Sequence, residues 1–322
     1  MSESTKSWLG EVTNVAVLGA GTMGHGIAQV FALGGYDVML YDIGDDILQK
    51  ALVLIDSHLD TFVKNGLTTE EARRQALARI KTTTDLSRVK DASFVAEAAP
   101  ERIELKQKVH RDVEEICHPD TIVASNTSSL RLGDISSLCK CPENHVVAHW
   151  FNPPYIVPLV EVVKGTKTSM ETMDRTYAFL ERVGKKPAKI MKEAPGFVAN
   201  RMQMALAREA FSILEKGIAS AEDIDTVVKA SFGFRLPTIG VFETCDLAGL
   251  DVYLAVIEQI FPEIESSTEP PRLLKEAVAQ KKFGAKAGEG IYKWPKEKLE
   301  VTIKERDTQF LRRLKQLYLR KE

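Results

Sequence analysis

Val15-Ala16-Val17-Leu18-Gly19-Ala20-Gly21-Thr22-Met23-Gly24 is the stretch from which the rest of the chain is read. A continuous apolar run ending in glycine suits a parallel strand buried on both faces. The helix-competent segment His25 to Leu33 follows at once. In Gly-x-Gly-x-x-Gly, Gly19 makes the tight turn and Gly21 lets the backbone approach a pyrophosphate. Gly24 lets helix and strand pack closely, with phosphates over the helix N-terminus. Any glycine-rich turn can match this pattern by accident, so the context matters. A second apolar strand, Tyr36 to Tyr41, ends at Asp42, which lies 23 residues beyond Gly19. A carboxylate there takes the adenosine ribose hydroxyls and disfavours a 2′-phosphate. The expected cofactor is NAD rather than NADP, held by Gly19, Gly21, Thr22, Met23, Gly24 and Asp42.

The chain has 322 residues, enough for two domains, and is 44% hydrophobic and 27% charged, an ordinary globular composition. Its formal net charge of −2 gives no whole-protein attraction to nucleic acid or anionic membrane. No apolar run reaches the roughly 20 residues of a membrane span. Met1 to Glu11 is polar and resembles neither a signal peptide nor an import sequence, so a cytoplasmic protein is expected. Cys139 and Cys141 are spaced too tightly for the usual zinc half-site, and free thiols (Cys117 and Cys245 included) are expected, with no metal.

Asp45 to Val63 and Thr68 to about Ile80 carry helical patterns separated by Lys64-Asn65-Gly66, predicting a helical hairpin that projects from the sheet. Its function would be scaffold or a flap over the substrate. Apolar strands follow at Ser93–Ala96, Thr121–Ala124 and Val146–Ala148, with a helix from Ile103 to Cys117. This alternation predicts a doubly wound, mostly parallel sheet of the Rossmann type. Such sheets bind ligands beyond the carboxyl ends of their strands, where Glu97, Ser125 to Ser129 and His149 would gather. An apolar run from Ile156 to Val163 is interrupted by Pro158 and Glu161, then come a helix, Met170–Val183, and a strand, Pro187–Met191. From Glu193-Ala194-Pro195-Gly196 onward the pattern is helical. The expected domains are therefore 1–193, a dinucleotide-binding α/β domain, and 194–322, an all-helical domain. The long helix Phe197 to Lys216 has Met202, Met204, Leu206, Phe211 and Leu214 to bury, which predicts a homodimer. Phe310, Leu311, Leu314, Leu317 and Tyr318 predict a packed terminal helix.

Hydride transfer to a nicotinamide needs a proton acceptor that titrates near neutrality. His58, His110 and His118 fall on predicted helices or their ends and are expected to face solvent. His149 stands just past its predicted strand, at the crevice. A lone carboxylate in an apolar strand is costly unless paired, and Glu161 would fix the His149 tautomer and stabilise the imidazolium. A hydrolase using Ser128, His149 and Glu161 lacks Gly-x-Ser-x-Gly and leaves the glycine loop unexplained. A structural NAD-binding protein, such as a lens crystallin, would leave the pair idle.

These residues resemble the L-3-hydroxyacyl-CoA dehydrogenase family, over nearly the whole chain to about Trp294. The similarity lies in Gly19–Gly24, Ala124-Ser125-Asn126-Thr127-Ser128-Ser129-Leu130, His149-Trp150-Phe151-Asn152-Pro153 and Leu159-Val160-Glu161-Val162. It continues in Pro195-Gly196-Phe197-Val198-Ala199-Asn200-Arg201 and Gly284 to Tyr292. The resemblance implies an N-terminal NAD domain and a helical dimerisation domain. It implies His149 as general base oriented by Glu161, with Ser128 and Asn200 bonding the reacting oxygens. It also implies Glu97 and Lys106 on the nicotinamide side and Asn126 among the cofactor contacts. Interconversion of an L-3-hydroxyacyl-CoA and its 3-keto product, in fatty acid metabolism, is the first expectation. Acyl-CoA members tend to carry lysines in the first hairpin helix; here that helix has only Lys50 and four acids before Thr61. Pro154 to Pro158 and Arg235 to Gly240 look more like the branch acting on free hydroxyacids (gulonate dehydrogenase, also known as lambda-crystallin, and carnitine dehydrogenase). A free 3-hydroxyacid is the alternative substrate.

Overall fold

A computed structural model describes residues 2–316 of the chain. The described residues divide into two compact units, residues 2–198 with those from 310 onward, and residues 199–309.

The first unit opens with α1 (Glu3–Glu11), capped by the Ser2 side chain on Thr5 N, a helix its polar composition concealed. Trp8 and Leu9 anchor it in the core, Trp8 edge-on to Phe179 at 6.5 Å. The βαβ unit of the glycine loop follows as β1 (Asn14–Leu18), α2 (Gly24–Leu33) and β2 (Asp37–Tyr41). Then come α3 (Asp45–Lys64), α4 (Glu70–Arg79), β3 (Ile80–Thr83), β4 (Phe94–Glu97), α5 (Ile103–Ile116) and β5 (Ile122–Ser125). The unit continues through α6 (Leu132–Ile135), β6 (His145–Trp150), β7 (Leu159–Val163), α7 (Met170–Arg182) and β8 (Lys186–Ile190).

Among the described residues these strands form one eight-stranded sheet, ordered β3-β2-β1-β4-β5-β6-β7-β8. From β3 to β6 all neighbours are parallel; β7 runs antiparallel to β6, and β8 parallel to β7. The doubly wound, mostly parallel expectation holds. Strand β3 was hidden because Ile80-Lys81-Thr82-Thr83 continues the polar helix before it.

The α3–α4 hairpin is present as expected, with one face buried. Leu48, Ala51, Ile55, Leu59 and Ala76 lie in the same core as Val15, Val17, Phe31 and Phe94. Apolar residues at helical spacing give α3 one dry face, which packs against α2, α4 and the edge strand β3. Phe31 sits at the centre of this core, with the rings of Phe179, Trp150 and Phe94 at 5.1, 5.8 and 6.0 Å. Such aromatic pairs contribute about 0.5–1.5 kcal/mol each beyond area burial. Phe62, Ile156 and Leu311 make a satellite cluster, with Leu314 against it. Leu317 and Tyr318, expected on the same stripe, lie outside the described residues.

The second unit contains α8 (Ala199–Glu215), α9 (Ala221–Ala230), α10 (Phe232–Arg235), α11 (Val241–Ala248), α12 (Leu250–Ile260) and α13 (Arg272–Ala279). It ends within α14 (Lys296–Leu314). Among residues 199–309 only Ser212 is buried, while Phe234, Phe242 and Leu247 are each more than three-quarters exposed.

Candidate active site

The glycine loop has the geometry its spacing predicts. Gly19 has φ +96°, and a Cβ there would meet Ala98 O at 2.7 Å; at Gly24 it would meet Gly19 O at 1.6 Å. Both positions exclude a side chain. A Cβ on Gly21, by contrast, meets nothing within 4 Å. The loop is thus tight against its own scaffold at Gly19 and Gly24 and open at Gly21, as a phosphate cradle at the start of α2 requires. Asp42, just past β2, accepts from Ala20 N and Ile43 N, both at 2.7 Å. These contacts hold its carboxylate beside the loop, where the family's NAD ribose would lie. The residues present fit the dinucleotide.

His149 and Glu161 face each other across the one antiparallel junction of the sheet, as register partners on β6 and β7. Directly opposed residues on such a ladder project to the same face with adjacent Cβ atoms. Register alone therefore brings the imidazole to the carboxylate: His149 Nδ1 is 2.9 Å from Glu161 Oε2, with both residues buried. His149 lies within β6, not past it as expected, because the strand runs on to Trp150. Glu161 Oε1 accepts from Val198 N at 3.0 Å. With Nδ1–H donated to the carboxylate, the network assigns the bare lone pair to His149 Nε2.

Phe197 was missed as part of this site. Gly196 and Phe197 both have positive φ, +76° and +48°. For phenylalanine this conformation is unfavourable by about 1–3 kcal/mol and persists only where its surroundings enforce it. The turn seats the buried Phe197 ring 5.5 Å from that of His149 and delivers Val198 N–H to Glu161.

Glu97 and Lys106 lie behind the crevice wall rather than on it, both fully buried. Glu97 Oε1 receives Lys106 Nζ and Ala99 N at 2.7 Å, and Oε2 receives Ser125 Oγ at 2.6 Å and His110 Nε2 at 3.3 Å. Burial opposes its ionisation. The His110 hydrogen bond and Lys106 outweigh that and hold the carboxyl down to about 2. His110, expected to face solvent, is entirely inside: Lys106, His110 and Val113 share the inward face of α5. His58 is also not solvent-facing but half-buried, stacked on Tyr155 at 4.0 Å; His118 is exposed as expected.

Glu101 is the second missed residue. Its Oε1 receives Thr127 Oγ1 at 2.5 Å, Ser128 N and Ser129 N at 3.1 Å, and Ser129 Oγ at 3.0 Å. Lys106 Nζ stands 3.4 Å from Oε2. Burial raises its pKa, but the Thr127 hydroxyl, Lys106 and the serine donors bring it below the usual range. Glu101 fixes the turn that presents exposed Ser128. Its signal was a carboxylate soon after a strand's end, ahead of a hydroxyl-rich loop. Asn126 Oδ1 accepts from Trp150 N at 2.9 Å, tying β5's end to β6. Asn200 is the second residue of α8, in the other unit, and is half-buried.

The comparisons with known proteins agree with this geometry. The pattern for the 3-hydroxyacyl-CoA dehydrogenase NAD binding domain matches residues 14–194, and that for the C-terminal domain of the same family matches 196–294. The chain belongs to the 3-hydroxyacyl-CoA dehydrogenase family. It is 32% identical over 296 residues to 5-formyl-3-hydroxy-2-methylpyridine 4-carboxylate 5-dehydrogenase of Mesorhizobium japonicum, covering 92% of this chain and 95% of that one. It is 36% identical over 284 residues to 3-hydroxybutyryl-CoA dehydrogenase of Clostridioides difficile, covering 88% and 99%. A solved structure of a 5-formyl-3-hydroxy-2-methylpyridine 4-carboxylic acid 5-dehydrogenase, an NAD+-dependent dismutase, superposes with a TM-score of 0.88. That match is at 31% identity over 95% of this chain and 98% of the other. The protein is accordingly an NAD-dependent 3-hydroxyacyl-CoA or hydroxyacid dehydrogenase. Among the described residues no helix is long and apolar enough to cross a membrane.

Proposed function

We propose that this dehydrogenase oxidises the 3-hydroxyl of an L-3-hydroxy substrate reversibly, with His149 as general base. The supporting observation is the His149–Glu161 pair, buried, register-opposed and 2.9 Å apart. Bound NAD supplies the hydride acceptor. His149 Nε2 takes the hydroxyl proton while Glu161 Oε2 stabilises the charge gained by the ring. Ser128, held by Glu101, donates to the reacting oxygen; the same role for Asn200 is what the family resemblance implies. Asp42 holds the adenosine ribose, and Glu97, Lys106 and Asn126 keep the cofactor wall rigid.

The family's CoA ester is one substrate reading; a specific feature of α3 favours a free hydroxyacid. Lys50 is paired with Asp46 and Lys64 with Asp60, while Arg73 of α4 is bound to Asp56 and Glu70. The hairpin therefore offers little positive charge for a nucleotide phosphate. A cavity of about 320 Å³ instead opens beside Ser129 and Phe197, its charged lining three cations, Arg131, Lys164 and Lys192, against one carboxylate, Glu193. That size and charge suit a small carboxylate, and the Mesorhizobium relative is named for acting on one. The test compares NADH production from 3-hydroxybutyryl-CoA, 3-hydroxybutyrate, gulonate and carnitine. A free acid should give the higher kcat/KM, and His149→Ala should lower kcat about 10²–10⁴-fold. Turnover of the CoA ester alone would reject the free acid; full activity in the variant would reject the base.

A homodimer built through residues 199–309 belongs to the same proposal. A helical unit that buries only Ser212 leaves large apolar side chains for a second copy to cover. Light scattering showing only monomer at micromolar concentration would reject it.

A further inference from the structure

We infer that Glu114, Cys139 and His145 form a divalent-metal site, taking a zinc-like ion through one carboxylate oxygen, one sulfur and His145 Nε2. Two cysteines spaced as Cys139 and Cys141 do not by themselves make a zinc half-site; the fold supplies the remaining donors. Glu114 comes from the last turn of α5, Cys139 from the loop after α6, and His145 begins β6. One ligand atom from each lies within 4.8 Å of the others, and His145 Nε2 is 3.9 Å from Glu114 Oε1. Ligands around tetrahedral zinc stand about 3.3–3.8 Å apart, given bonds of about 2.0–2.3 Å. Shifts of about an ångström close the set.

With His110 neutral, the hydrogen-bond network assigns which His145 nitrogen is bare. Glu97, already neutralised by Lys106, accepts from His110 Nε2. His110 then presents Nδ1 as an acceptor, so His145 Nδ1, 2.8 Å away, carries the hydrogen. This leaves the lone pair on His145 Nε2, a side chain only 1% exposed, on the edge nearest Glu114. A ligating imidazole whose other nitrogen donates onward has the usual outer-shell arrangement of protein metal sites.

The carboxylate is equally prepared. Glu114 Oε1 accepts from Cys141 N and Oε2 from Lys140 N, each at 2.6 Å, which fixes its orientation and leaves further lone pairs. A water can fill the fourth position. An ion held there would pin α5 and the Cys139 loop to β6, without touching His149 or Glu161.

The test titrates the reduced, chelator-treated full chain with cobalt(II), then displaces cobalt with zinc. One equivalent should bind with a sulfur-to-cobalt charge-transfer band, and zinc should raise the Tm. Cys139→Ser should lose the band and the Tm gain while keeping dehydrogenase turnover, which shows that it folds. Glu114→Gln retains one backbone acceptor and should weaken cobalt binding about 10- to 100-fold. A wild-type chain without band or Tm shift at a hundredfold excess of metal would overturn the assignment. So would a band that survives Cys139→Ser.

Discussion

Glu161→Gln keeps the side chain's shape and removes its charge from a position 2.9 Å from His149 Nδ1. When the imidazole accepts a proton, its positive charge lies about 4 Å from the carboxylate's centre, an attraction of about 4 kcal/mol at an effective dielectric of about 20. An amide oxygen in its place keeps a neutral hydrogen bond of about 1 kcal/mol. The variant has a second difficulty. Val198 N–H and His149 Nδ1–H each require an acceptor, and glutamine offers one oxygen for the two. Together these place the loss at about 3–4 kcal/mol, or about 10²–10³-fold in kcat. Initial rates of NADH formation at saturating substrate measure it, with NAD affinity titrated in parallel. NAD affinity should stay within about twofold, because the lost interaction grows only as charge develops. A kcat within about threefold of wild type would refute the pairing, as would lost NAD affinity with kcat intact.

Three further outcomes follow from the glycine loop and the buried network. Gly24→Ala brings a methyl to 1.6 Å from Gly19 O, where both neighbours are backbone, so thermal unfolding should show a loss of at least about 3 kcal/mol. Gly21→Ala meets no atom within 4 Å and should keep its Tm while weakening NAD binding about tenfold or more; unchanged affinity would remove the loop from the cofactor site. Glu97 has a folded pKa of about 2 against an ordinary 4.5, so its contribution is complete above about pH 4.5 and disappears as pH falls towards 2. That shift corresponds to about 3 kcal/mol. Denaturant unfolding at pH 5 and pH 2.5 should show the loss, and Glu97→Gln should flatten it; an equally steep profile in the variant would count against the network.

The glycine loop was legible because its turn, its two strands and Asp42 have fixed spacing. The His149–Glu161 pair was legible because an acid inside Leu159-Val160-Glu161-Val162 contradicts its surroundings. What stayed hidden depends on contacts between distant segments. Helix α1 is polar apart from Trp8 and Leu9, so its docking on Phe179 left little periodic signal. His110 looks like a surface residue until Glu97 and His145 arrive from two strands. Glu101 acts only through the turn of a loop some 26 residues later, and Phe197 through a backbone conformation that composition does not encode.

The His149–Glu161 pair is aligned by hydrogen-bonded rungs of β6 and β7, not by the segment 151–158 that links them. Phe151 packs its ring 4.5 Å from that of His149, while residues beyond it, Tyr155 among them, can be exchanged without moving the register in which imidazole and carboxylate meet. Such an arrangement lets selectivity drift while the chemistry stays put, like interchangeable jaws on a fixed vice.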